Sequence, residues 1–171
     1  MKPEKPMTQR TYYAPHGGLP AQTDLMTGRA VFTEAYAVIP KAVMSDIVTS
    51  VQSDVAPLGG RIEVDDLPTI GGVSSQIRML FENLIVNAIK FRREDEPPVV
   101  KVSASSIKGA GAVTIHRITV ADNGIGFDEE AFSVTIFQPY QRLHKRDVYD
   151  GIGIGLAICR RVAEAHGGTI S

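Results

Sequence analysis

The sequence predicts a single α/β domain shaped around a nucleotide pocket, and three blocks in fixed order predict it. They are Asn83-x-x-x-Asn87-Ala-x-Lys90-Phe91 in a helical pattern, Asp122-Asn-Gly-Ile-Gly126 at the end of a strand pattern, and Gly151-Ile-Gly-Ile-Gly155-Leu156 ahead of a further helix. An amide-rich helix followed by two glycine turns, the first led by an aspartate, suits a nucleotide and a metal ion. Their order carries more than any one block, with 35 residues from Asn87 to Asp122 and 25 from Gly126 to Gly151.

The elements follow in chain order. Residues 1–30 hold Pro3, Pro6, Pro15, Pro20, Gly17, Gly18 and Gly28 with little periodicity, which predicts an irregular leader over about 1–40. Val43, Ile47, Val48 and Val51 recur at helical spacing, giving a helix near 41–56 that ends at Pro57 and Gly59-Gly60. Arg61–Val64 alternates as a short strand. Ser74 or Ser75 is placed to cap a helix whose apolar face is Ile77, Leu80, Phe81, Leu84, Ile85, Ala88 and Ile89. After a charged, proline-closed turn at 94–98, strands at 99–103 and 112–121 flank Gly109-Ala-Gly111 as an antiparallel hairpin that delivers Asp122 at its end. A short helix is expected at 129–137, a polar stretch at 142–150, and a helix at 156–166 stopped by Gly167-Gly168. Residues 169–171 read as the start of a strand.

Composition narrows the function. The 171 residues suffice for one domain with a tail, and 43% hydrophobic with 22% charged residues fits a proper core. Eighteen basic and nineteen acidic side chains leave a net charge of −1, so nothing global recruits nucleic acid or an anionic membrane. The single cysteine, Cys159, excludes an internal disulfide framework and fits a reducing compartment. No run approaches the ~18 apolar residues of a membrane span. The start, MKPEKPMTQR, is no signal peptide. The expectation is a cytoplasmic chain without nucleic-acid or membrane contact.

Asn83 and Asn87 are four apart and share a helix face beside apolar Leu84, Ile85 and Ala88. Each amide offers an oxygen to a hard cation and N–H groups to phosphate, although in isolation such asparagines equally serve the backbone. Lys90 adds positive charge, and Phe91 a flat apolar surface. The carboxylate of Asp122, backed by glycines that allow close approach, can accept from an exocyclic amine such as that of adenine. Taken alone, Asp-Asn-Gly is also an ordinary turn. The third block precedes a helix, so its N–H groups can converge on phosphate. It is neither a Walker A loop, lacking GK[ST], nor a Rossmann fingerprint.

These blocks resemble the N, G1 and G2 boxes of the GHKL ATPases, specifically the ATP-binding catalytic domain of sensor histidine kinases. FENLIVNAIKF, ADNGIGFD and GIGIGLAICRRVAEAHGG carry the resemblance, with IFQPYQRLH as the intervening F box. KFRREDEPPVV and YQRLHKRD are closest to the phytochrome-like branch. The likeness covers about residues 43–171. It implies an α/β sandwich of the GHKL (Bergerat) type, a mixed sheet covered on one face by helices, with a lid over about 138–150. It also implies ATP and Mg2+ as cofactors. Asn87 would hold the metal, while Asn83 and Lys90 would touch the phosphate chain. Phe91 would lie near adenine, Asp122 would take the adenine amino group, and Gly124 and Gly126 would shape its pocket. Gly151, Gly153, Gly155 and Leu156 would close over the phosphates, and Arg142, Lys145 or Arg146 could reach the γ-phosphate. Asn83, Lys90 and Arg142 would be the catalytic set, and Glu82 reads as a solvent-facing residue.

The implied reaction sends the γ-phosphoryl group to a histidine on a separate dimerisation domain in trans, and indirectly to a response regulator. His16, His116, His144 and His166 all lie outside an acceptor context. Gyrase-type and chaperone-type relatives carry a glutamate four residues before the metal-binding asparagine; here that position is Asn83. The alternative is a fragment that binds nucleotide or a partner without turnover. Two departures stand out. Ile152 occupies the usual place of a threonine, and relatives continue after GGTI with the rest of that strand and one more, so the last strand is expected to be missing and a sheet edge exposed. Residues 11–50 resemble the leader of a bicupin ureidoglycine aminohydrolase, without that family's metal cluster.

Overall fold

The structure, a computed structural model, describes residues 8–15, 22–23, 30–31, 37–38, 40–108, 114–126, 136–139 and 153–171. Three helices supply one side of the core. Helix α1, Pro40–Val55, opens on a proline, which has no N–H to lose at a first turn. It buries Val43, Met44, Ile47, Val51 and Val55 at helical spacing. A 3-10 turn at Ala56–Leu58 ends it, with Gly59 left-handed at φ 64°. Helix α2, Ser74–Lys90, buries all seven residues of the face that the sequence marks. Helix α3, Gly155–Ala165, buries Ala157, Cys159, Val162 and Ala163. It stops as expected, Gly167 standing at φ 69° while the N–H groups of Gly167 and Gly168 donate to the Glu164 and Ala163 carbonyls.

The expected serine cap of α2 is not formed. Val73 is the N-cap residue, in an extended conformation without a side-chain cap bond, and both serines lie inside the helix. One donor at this end is met from a distance, the Val73 N–H donating to His166 Nε2 at 3.0 Å. The His166 ring is 2% exposed, and its Nδ1 lies 2.7 Å from the Val162 carbonyl oxygen. A neutral ring with its proton on Nδ1 satisfies both contacts.

The strands are β1 (Thr8–Pro15), β2 (Gln22–Thr23), β3 (Ala30–Val31), β4 (Ala37–Val38), β5 (Arg61–Val64), β6 (Ile70–Gly71), β7 (Val99–Lys108), β8 (Thr114–Asp122) and β9 (Thr169–Ile170). The main sheet runs β5-β7-β8-β1-β9. It is mixed: β5 and β7 are parallel, and β7 and β8 form the expected antiparallel pair from Val100 opposite Asp122 to Lys108 opposite Thr114. Alternation puts Val100, Val102, Ile118 and Val120 in the core with the three helices, so the helices cover one face.

The amino-terminal segment departs from the reading of residues 1–40 as an irregular leader. Thr8–Pro15 lies inside the main sheet, paired with β8 over its whole length and with β9 at Tyr12 and Tyr13. Strands β2 and β3 pair with each other, and β4 pairs with β6 just ahead of α2. Beyond β8 the sheet therefore continues through β1 to β9. Pro15 ends β1 rather than interrupting it. Most of the expected 129–137 helix and of the 138–150 lid, with the turn at 109–111, lies outside the described residues.

Candidate nucleotide site

Helix α2 carries both halves of the candidate site. Near its middle, Asn83 Nδ2 donates to the Met79 carbonyl at 2.8 Å, which turns Oδ1 outward. That oxygen faces the start of α3: a Cβ added to Gly155 would lie 2.9 Å from Asn83 Oδ1 and 3.7 Å from Asn87 Nδ2. Gly155 is thus the close approach that brings the third block onto the amides of the first. Gly153, at φ 76°, shapes the turn before it, and Leu156 anchors the first turn of α3 against the core.

At the far end of α2 the second block docks on the helix terminus. The Ile125 N–H donates to the Phe91 carbonyl at 2.9 Å, and the Phe91 N–H closes the helix onto the Asn87 carbonyl at 2.9 Å. Gly124 fits where nothing larger can, since an added Cβ would stand 2.5 Å from the Phe91 oxygen and 2.7 Å from Asp122 Oδ1. Asp122 Oδ1 accepts from the Gly124 N–H at 2.9 Å. Gly126 continues the turn at φ 68°.

Two residues that the sequence reading passed over hold this turn. Asn123 Oδ1 accepts from the Val99 N–H at 2.8 Å, and its Nδ2 donates to the Pro97 carbonyl at 3.0 Å. Arg93 Nε donates to the Gly124 carbonyl at 3.0 Å. Asn123 was legible only as a turn former, and Arg93 only as one charge of a charged turn. Neither role has a local signal, because each partner lies more than twenty residues away.

Among the described residues charge is sparse at the site. The Lys90 ammonium sits over the ring of Phe91, 5.1 Å from its centroid; both residues are half-buried, and such an attraction is worth about 0.5–2 kcal/mol. Among the described residues no group of three or more His, Cys, Asp or Glu could hold a metal. Behind the site Cys159 is fully buried, and burial pushes its thiol up to about 12, so it is inert there. Gly151, Arg142, Lys145 and Arg146 lie outside the described residues. The arrangement thus joins Asn83, Asn87, Gly155 and Leu156 at one end, and Phe91, Asp122 and Gly124 at the other, along a single helix.

Residues 72–171 match the family described as histidine kinase-, DNA gyrase B-, and HSP90-like ATPase. The chain belongs to this family. Among sequences similar to this ATPase domain, cyanobacterial phytochrome A of Nostoc sp. is 46% identical over 116 residues, which is 68% of this chain and 14% of that protein. The mycobacterial sensor histidine kinase MprB superposes at a TM-score of 0.64 and 23% identity, covering 78% of this chain and 80% of that one, and shows the shared fold. Full-length ShkA in complex with AMPPNP gives 0.63 at 26% identity, covering 82% of this chain and 28% of that one. The ATPase domain therefore spans about a seventh of the phytochrome it matches. The family match begins at residue 72, and the likeness of residues 11–50 to a bicupin leader finds no support in these matches. No described helix is long and apolar enough to cross a membrane.

Proposed function

We propose that the chain is the ATP- and Mg2+-binding catalytic domain of a two-component sensor histidine kinase, and that it transfers the γ-phosphoryl group to a histidine on a separate dimerisation domain in trans. The observation that carries this is the close approach of Gly155 to Asn83 and Asn87. It gathers amides, backbone N–H groups and the start of α3 where a phosphate chain is best held. Asp122, at the end of β8 beside the turn that docks on Phe91, would take an exocyclic amino group.

The donor set fits Mg2+. The ion keeps several waters and is held largely through substrate phosphates, so one or two neutral amide oxygens suffice. Asn87 is the ligand in this reading. Asn83, its donor tied to Met79, presents an oxygen that suits the ion or its water more than phosphate. When bound, the ion would neutralise charge on the β- and γ-phosphates. Lys90, over Phe91 at the end of α2, would add to that. The transfer itself needs little covalent help: an imidazole nitrogen of the partner attacks the γ-phosphorus, the bond to the β–γ bridging oxygen breaks, and ADP leaves with that electron pair. An amide at position 83 cannot take a proton from water, which favours transfer over hydrolysis of the gyrase type.

Titration of an ATP analogue with and without Mg2+ tests the assignment. Asp122→Ala should weaken binding about tenfold or more, a loss of ~1.4 kcal/mol or greater, and Asn87→Ala should remove the Mg2+ dependence. Unchanged affinity in Asp122→Ala would sink the adenine role. Binding without transfer to an added dimerisation domain would leave the binding-only alternative, and a high ATPase rate abolished by Asn83→Ala would point to a hydrolase.

A further inference from the structure

The register of β1 reaches the last residue of β8, with Gln9 opposite Ala121 and Thr8 opposite Asp122. On the other side Val100 of β7 faces Asp122. The backbone of Asp122 therefore leaves the sheet from a position flanked by strands on both sides. Without β1 one whole edge of β8 would carry unpaired N–H and C=O groups. Strand β9, paired at Tyr12–Ile170 and Tyr13–Thr169, would lose its described strand partner. Strand ends at sheet edges open at low free energy, whereas interior strands open with the core. Opening at the end of β8 would release the Asp122–Gly124 bond, and with it the turn that hands the Ile125 N–H to Phe91.

We propose that Thr8–Pro15 is a positioning strand for the nucleotide site: paired in cis along β8, it holds the Asp122 carboxylate in place, so that docking of the amino-terminal strand and nucleotide affinity are coupled. The coupling rests on the reading of Asp122 as the adenine ligand. Coupling between two sites is reciprocal, so nucleotide must tighten β1 as much as β1 tightens nucleotide.

Hydrogen exchange on the full wild-type chain, with and without an ATP analogue and Mg2+, reads this directly. The expected result is exchange slowed several-fold at the β1 amides as well as around Asp122. Slowing around Asp122 with β1 unchanged would overturn the coupling. A second measurement tests the strand without nucleotide. Thr11 and Thr119 are directly opposite, a spacing within disulfide reach, and Cys159 is buried and will not compete. The double variant Thr11→Cys with Thr119→Cys should oxidise to an internally bridged monomer that binds the analogue at least as tightly as its reduced form. Failure to bridge, or a disulfide-linked dimer, would overturn pairing in cis. If the wild-type chain binds no analogue, the nucleotide reading fails and takes the coupling with it, while the bridge still reports where the strand lies.

Discussion

Two glycines face the same helix and should fail differently. At Gly124 a methyl group would meet the Phe91 carbonyl oxygen at 2.5 Å, a backbone atom that cannot move without unseating the end of α2. Gly124→Ala should cost about 1–3 kcal/mol of stability by overpacking, measured by urea unfolding, and should abolish analogue binding. At Gly155 the first obstacle is Asn83 Oδ1 at 2.9 Å, the end of a side chain that can rotate. Gly155→Ala should therefore keep most of its stability while losing Mg2+-dependent affinity, because the amide is turned away from the loop. The sequence told both glycines apart from ordinary turn formers only through their place in an ordered series. It could not tell which would be blocked by backbone and which by side chain, since that depends on atoms thirty and seventy residues distant.

Helix α2 was the most legible element, because seven buried residues at 3.6-residue spacing leave little freedom of interpretation. Its start was misread by one or two residues: a serine next to a helical pattern is a good local cap, but the extended residue is Val73, whose N–H is held by a buried imidazole from the far end of the chain. His166→Ala should leave that donor orphaned and open a cavity, costing about 1–3 kcal/mol. Calorimetry should show a lower Tm, while analogue affinity changes little, because the damage falls at the end of α2 remote from Phe91. A large loss of affinity without loss of Tm would refute this division of the helix. Gly72→Ala should mimic the variant, since its Cβ would stand 2.8 Å from the His166 ring.

At the scale of the whole molecule the sheet decides what was legible. The β7–β8 pair is local and alternates cleanly, so its arms emerge from the sequence to within a few residues. Strand β1 pairs with residues a hundred or more positions away and lies in a segment dense in proline and glycine, so no local pattern betrays it. Because β1 pairs with β8 along its whole length and β8 shares its core with the helices, they should unfold together, and Cys159 reports on it. Its thiol should resist alkylation in the native state and react along the same urea transition that circular dichroism follows. The folded thiol keeps its proton to about 12 while the unfolded one releases it from 9.0, so stability should fall as pH rises through that window. The Asn123-Gly124 step carries a different kind of record. Asparagine followed by glycine is chemically short-lived in a loose chain, where the glycine nitrogen closes on the side-chain amide to a succinimide and then opens to aspartate or isoaspartate. Here both ends of that amide are pinned, to Val99 and Pro97, and the Gly124 N–H is engaged by Asp122. Time spent unfolded is thus written into the covalent structure, next in sequence to Asp122, as an added negative charge that refolding cannot erase.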